Sequence, residues 1–479
     1  MRLAGPAFAA GIMISVGSTM ALAQAQLPPG GSSEPSQDRP VIASGRPVAE
    51  VQGIWRSRGY GYLLRIDADG LSLFHVAGSF CYADPRRADD PDGMFALYRP
   101  FGADAVAFSG TPGQTRYVFD RLPDLPAACT DRADWTPPRI AALVAATFTD
   151  IYPSFAERGI DWSARATAAG RGLDDRSTDG ELFDNLQDLL SGIEDAHVEL
   201  HAEVGGKERS LTPGEAGTLL RVRANTALGA HPGKREREWR RAYHRGIRTT
   251  VLDGNSHWAA NDCVLWGRVR DIGYINFLCM LGFTEDRPDD DPTGLDAALD
   301  AAIAAFQGAR AVIVDITDND GGHDKLAQRI AGRFAEQSHL AYRKVAFGAK
   351  GVEPQPFEVE PSDRQRYTGP VYLLTSDITL SAAEVFALYM RALPNVIHIG
   401  ETTRGAFSDQ IDKPLPNGWF LVLPAEIYRD PDGNFYEVRG LPPQVKREIF
   451  PANDLTQGHA RRVLALMDEI RRGAAPTRR

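Results

Sequence analysis

Residues 371–408 read VYLLTSDITLSAAEVFALYMRALPNVIHIGETTRGAFS. The four residues Val371–Leu374 are apolar and bounded by a turn, as a buried strand is. A helix opens at Ser381-Ala382-Ala383-Glu384 and is expected to end near Pro394, because proline cannot continue it. A second strand, VIHIG, leads to Gly400-Glu401-Thr402-Thr403. Strand, helix and strand in one short span make a βαβ unit with parallel pairing. A serine at the strand-to-helix elbow has an exposed hydroxyl and lies beside the free amides of the first helical turn. That geometry serves a nucleophile with an oxyanion site. The same letters also spell a capping box, in which Ser381 and Glu384 satisfy each other's amides.

Working outward, the alternation continues on the N-terminal side. From Val269 the order is strand YINFLCM, helix LDAALDAAIAAFQ, strand AVIVDI, a glycine turn and helix KLAQRIAGRFAEQ. Buried apolar strands alternating with helices define an α/β core. Residues 136–196 carry helical periodicity, with Pro137-Pro138 opening one helix and Thr178-Asp179-Gly180-Glu181 capping another. Val51 to Asp120 alternates apolar and polar residues and turns at Asp67-Ala68-Asp69-Gly70, the pattern of a small antiparallel β domain. The expected divisions are a signal peptide at 1–25, a disordered leader at 26–47, the β domain at 48–130 and a helical part at 135–200. A connecting region of no clear period follows at 201–262, then the α/β core at 263–455 and a C-terminal helix and tail at 456–479. The Arg-rich run Lys234–Arg248 reads as a solvated helix face.

Composition narrows the function. Net charge is −10 over 479 residues, which disfavours a nucleic-acid partner, since such proteins present a basic face. Met1-Arg2, an apolar stretch to about Ala23 and Ala-Leu-Ala-Gln-Ala at 21–25 read as a cleaved signal peptide. No later run is long enough to span a bilayer. The mature chain is therefore expected to be exported, periplasmic or secreted, without a membrane span. Four cysteines suit an oxidising compartment. Cys81 and Cys129 flank the β-rich stretch, and Cys263 and Cys279 bracket a strand pair, although four cysteines allow three connectivities. Without a CxxC pair, structural zinc is not expected.

Three further stretches carry chemistry. Val312-Ile-Val-Asp315-Ile-Thr-Asp-Asn-Asp-Gly321-Gly322 is a strand entering a glycine turn, where backbone can approach a ligand and aim an amide at it. Asp195-Ala196-His197 follows a helix end, and His197, Glu199 and His201 would share one face of a strand, so a three-ligand metal site is a second reading. Tyr428 to Pro443 places Glu437 after an expected hairpin at Asp432-Gly433.

In this order the pieces resemble the tail-specific, or carboxyl-terminal-processing, serine peptidases, and more closely their tricorn-like branch. The resemblance covers roughly residues 136–450, apart from 201–262. The family's Asp-x-His element is matched by Asp195 to His197, and its Asp-x-Arg-x-Asn-x-Gly-Gly by Asp315 to Gly322. Thr-x-Ser-Ala-x-Glu is matched by Thr379 to Glu384, Gly-Glu-Thr-Thr-x-Gly by Gly400 to Gly405, and Glu-x-x-Gly-x-x-Pro by Glu437 to Pro443. Two departures stand out. Thr317 occupies the arginine position, and Arg404-Gly405-Ala406 stands where a Ser–Lys dyad enzyme carries its lysine. Only Lys413 and Lys446 lie beyond Ser381, and no segment reads as a PDZ module.

The resemblance implies a crotonase-like α/β core that hydrolyses peptide bonds of a peptide or protein substrate through an acyl-enzyme, with no cofactor and no metal. It assigns Ser381 as nucleophile, His197 as base and Glu437 as the group that orients the base. Ala382, Gly321 and Gly322 would supply the oxyanion hole. The alternative is a non-catalytic periplasmic binding protein on the same core, taking a small apolar ligand or a peptide.

Overall fold

The α/β alternation around residues 371–408 forms the centre of the molecule. In this computed structural model, residues 38–86, 93–132 and 134–476 are described; the expected signal peptide and most of the expected leader lie outside them. Seven strands form the central sheet: β1 (His257–Ala259), β2 (Val264–Val269), β3 (Ile272–Phe277), β4 (Ala311–Asp315), β5 (Val371–Thr375), β6 (Val396–Gly400) and β7 (Val445–Lys446). They lie in the sheet in chain order. The first three pair antiparallel, and β3 to β7 pair parallel. The result is a mixed α/β structure.

Strand residues alternate between two apolar layers. Val312, Val314 and Leu373 face a layer built with helices α1 (Thr293–Phe306), α2 (Asp324–Gly332) and α3 (Ala382–Ala392). Ile313, Tyr372 and Leu374 face the opposite layer, built with helices Pro232–Gly246 and Gly458–Arg471. With both faces covered, the strands must be largely apolar, as the first four residues of β5 are. Helix α3 buries its first nine residues, so it is a core helix and not a surface one.

Helix Pro232–Gly246 is not simply a solvated face. Its Trp239, Ala242 and Tyr243 are buried in the second layer, at the i, i+3, i+4 spacing that makes an apolar stripe. The region 201–262 also contains most of a hairpin, Glu199–Val204 with Lys207–Leu211. The first of these strands pairs with Phe420–Pro424.

The N-terminal strands form an eight-stranded antiparallel sheet. It begins earlier than expected. Arg39–Pro40 pairs with Leu97–Pro100, and Val41 is buried, so residues 39–47 are ordered structure rather than leader. The boundaries drawn at 130 and 200 do not divide the packing either. Trp55, Tyr62 and Phe119 of the sheet share one core with Phe148 and Leu186 of the helices and with Leu421 and Leu423. Both suggested disulfides form, Cys81–Cys129 and Cys263–Cys279. No helix among the described residues is long and apolar enough to cross a membrane.

Candidate active site

Ser381 stands at the N-terminus of α3 with φ 59° and ψ −129°. Positive φ is uncommon for a residue with a side chain and costs on the order of 1–3 kcal/mol. The expected capping pair is in place, with Glu384 reaching back to the Ser381 amide. Glu384 Oε2 accepts the Ser381 amide at 3.3 Å, but the Glu384 amide donates to the Ser381 carbonyl at 2.7 Å and not to its hydroxyl. Ser381 Oγ has no hydrogen-bond partner among the described residues. The cap is made without the hydroxyl.

Two turns are stitched together to hold this elbow. The Leu380 amide donates to the Asn319 carbonyl at 3.1 Å, Thr379 Oγ1 to the Ile316 carbonyl at 2.9 Å and Ser376 Oγ to the Thr317 carbonyl at 2.6 Å. The glycine turn therefore sits directly against Ser381. A Cβ on Gly321, whose φ is +99°, would lie 2.6 Å from Ser381 Cβ, so only glycine fits there. The Gly321 amide is already occupied: it donates to Asn319 Oδ1 at 2.8 Å. Met280 brackets Gly322, taking the His323 amide and giving its own to the Gly321 carbonyl, both at 2.8 Å. The amides of Gly322 and Ala382 have no acceptor among the described residues.

His197 and Glu437 lie against a loop that two carboxylates pin. Glu384, fully buried, accepts the Gly405 amide at 2.7 Å, the Ala406 amide at 2.8 Å and Thr403 Oγ1 at 2.5 Å. Glu437 Oε2 accepts the next two amides, Phe407 at 2.9 Å and Ser408 at 3.2 Å. Glu437 does not ride on a hairpin arm. The turn at Asp430–Asn434 forms, but no second strand follows it. Val438 at φ 71° and Gly440 at φ 73° instead bend the chain inward, and the Val438 amide bonds the Gly405 carbonyl at 2.8 Å. That bend puts Glu437 in the interior, where burial pushes its carboxyl well above the usual range.

His197 is buried and packs beside the Ser408 backbone. Burial pushes its imidazole below the ordinary value of 6.5, and Asp195 pushes back. Asp195 holds the main chain: its Oδ1 accepts the His197 amide at 2.9 Å, while Tyr152 Oη and Arg158 anchor Oδ2 at 2.7 and 2.9 Å. Two buried atoms are left uncommitted, His197 Nδ1 and Glu437 Oε1. Ser381 and His197 thus meet the same 403–408 loop, one through Glu384 and the other beside Ser408, and no direct hydrogen bond connects them.

The other sequence candidates fall elsewhere. His201 Nε2 contacts Glu199 Oε2 at 2.8 Å, and among the described residues no cluster of three acidic, His or Cys groups that could hold a metal occurs. Lys413 is buried and gives its amine to the Tyr60 and Gly61 carbonyls at 2.7 and 3.1 Å, on the N-terminal sheet. Thr317 donates to Asp315 Oδ1 at 2.7 Å and pairs with Tyr243 Oη at 3.1 Å. Asp315 is also met from the C-terminal helix, where His459 Nε2 lies 2.7 Å from its Oδ2. Asn319 and the pinned 403–408 loop were not singled out from sequence. The Asn within the glycine-turn motif was the one available signal.

Residues 271–447 match Peptidase family S41, a span that includes Ser381, the glycine turn and Glu437 but not His197. The carboxy-terminal processing protease CtpA of Bacillus subtilis (strain 168) is 30% identical over 144 residues, 30% of this chain and 30% of that protein. The chain therefore aligns with less than a third of the length of that curated relative. A peptidase candidate from Parabacteroides merdae ATCC 43184 superposes with TM-score 0.55 at 23% identity, over 70% of this chain and 97% of the other. Mature CPAF superposes with TM-score 0.51 at 13% identity, over 72% and 99%. These two share the fold. Residues 271–447 are thus similar to peptidase family S41, and part of the chain is similar to the carboxy-terminal processing protease CtpA.

Proposed function

We propose that the protein is an exported serine peptidase of the tail-specific, tricorn-like type on a crotonase-like core. Ser381 is the nucleophile and attacks a peptide carbonyl. His197 accepts its proton and later returns it to the leaving amine, a role suited to an imidazole kept neutral by burial. Glu437 orients the base: its Oε2 is fixed by two amides, and its Oε1 remains uncommitted, as does His197 Nδ1. The amides of Ala382 and Gly322 serve the oxyanion. Gly321 supplies the space beside the nucleophile, its own amide being held by Asn319. Each oxyanion donor is worth on the order of 2–4 kcal/mol of the barrier.

The observation that carries this reading is the strained Ser381 elbow, with its hydroxyl free and two unused amides beside it. Serine–base bonds are often loose in the free enzyme and tighten when substrate binds. The reading is tested on the mature protein with an unfolded protein substrate and a fluorophosphonate probe. Wild-type protein should take the label and cleave. Ser381→Ala should lose both, and His197→Ala should lower turnover by at least about a thousandfold. Turnover that survives Ser381→Ala would remove the assignment, and turnover lost with Lys413→Ala but not with His197→Ala would restore a lysine base.

A further inference from the structure

We propose that Arg116, in the loop leading into strand Tyr117–Leu122 of the N-terminal sheet, is a specificity-determining residue that takes a carboxylate of the peptide being cleaved. The proposal rests on the reading of Ser381 above and adds a substrate class to it.

Three cavities lie between the N-terminal sheet and the α/β core, and they share walls. The one of about 310 Å³ begins at Gly322 and His323, next to the elbow, and is roofed by Gly113 to Thr115 of the same loop. Thr115 and Lys344 also line a second cavity of about 270 Å³, and Gln114 and Phe357 also line a third of about 270 Å³. Arg116 and Arg99 line both of these outer cavities. The three cavities thus adjoin in series, from Gly322, the residue after the glycine that packs on Ser381, to Arg116. The outer wall is ordered: the Arg116 amide donates to Gln355 Oε1 at 3.0 Å, and Gln355 Nε2 donates to the Gln114 carbonyl at 2.9 Å.

The cations of these cavities differ in one respect. Lys344 is paired with Asp409 and Glu426, Arg99 with Asp38, and Arg58 with Asp120. The Arg116 guanidinium has no ion pair and no hydrogen bond among the described residues. It is half-buried, so it has lost part of its water without gaining an anion, and Arg99 adds to the positive field there while Asp38 opposes it. Glu353 lines one outer cavity and Glu358 and Glu360 the other, yet none of them pairs with Arg116. A planar fork of donors, partly desolvated and unpaired at the end of this series of cavities, matches a carboxylate in two parallel bonds.

The test uses Ser381→Ala protein, so that bound peptide persists, and fluorescein-labelled Ala/Leu decapeptides read by anisotropy. One carries two glutamates and an amidated C-terminus, the second replaces them with glutamines, and the third is the glutamine peptide with a free C-terminal carboxylate. At least one carboxylate peptide should bind more tightly than the amidated glutamine peptide, and which of them does so identifies side chain or chain end. Arg116→Gln should weaken that peptide on the order of tenfold and the neutral one less than twofold. Arg116→Lys, which keeps the charge and loses the fork, should fall between. Equal affinity for all three peptides, equal weakening of all by Arg116→Gln, or no binding at all would overturn the proposal. Turnover of the same peptides by the protein with Ser381 intact is read separately. Arg116-dependent binding without cleavage would sink the peptidase reading and leave the Arg116 assignment standing.

Discussion

His197 shows how a single residue is prepared by its surroundings. Burial holds its imidazole below 6.5, so it stays neutral, and able to accept a proton, at pH values where a free imidazole would begin to charge. As pH falls, kcat/KM should stay level through 6.5 and drop only below it. A pH–rate profile on a neutral peptide checks this. The buried Glu384 carboxyl is pushed up to about 7 against its four donors. A limb near 7 that moves on Glu384→Gln would place the titration there and not on His197. Ser381, His197 and Glu437 could be read from the sequence because each sits in a short motif with a turn or strand beside it. Asn319 was signalled only by its place in the glycine-turn motif, and the two carboxylates pinning the amides of Gly405 to Ser408 could not be read. A side chain bonding an amide twenty or thirty residues away leaves no periodic trace.

At the scale of elements, the strands and helix of residues 371–400 were legible because buried strands are largely apolar and α3 is apolar on all sides. His339–Ala346 and Gln355–Val359 were missed. Lys344 and Glu358 interrupt their alternation, and what makes them strands is pairing with each other and with Glu426–Arg429. The Arg-rich helix was misjudged for a related reason: a three-residue stripe is enough to bury a helix that is otherwise charged. The Cys263–Cys279 link belongs to this scale. It closes the β2–β3 hairpin one residue before Met280, whose backbone brackets Gly322. Replacing both cysteines by alanine should cost about 3 kcal/mol of stability, the value for a loop of this length. It should also slow labelling of Ser381. Replacing Cys81 and Cys129 should lower stability without that kinetic effect. Denaturant titrations and fluorophosphonate labelling rates on the two double variants separate the outcomes.

For the molecule as a whole, the sequence suggested domains in series, and the packing joins them. Trp55 and Phe119 of the N-terminal sheet share a core with Leu421 and Leu423, some three hundred residues later in the chain, and Lys413 crosses to the carbonyls of Tyr60 and Gly61. Local patterns specify which residues seek burial, not which distant partner buries them. The strained elbow has a consequence at this same scale. Glycine is the residue that the Ser381 backbone would accept at least cost, and since Oγ has no partner among the described residues, exchanging it forfeits no hydrogen bond to them. Ser381→Gly should therefore be inactive yet more stable by about 1 kcal/mol, strain relief exceeding glycine's extra chain entropy. Ser381→Ala, which keeps Cβ, should show no such gain, and paired thermal melts decide between them. A worse-fitting residue at the summit of the fold is then a sacrifice of durability that selection tolerates for the sake of one hydroxyl.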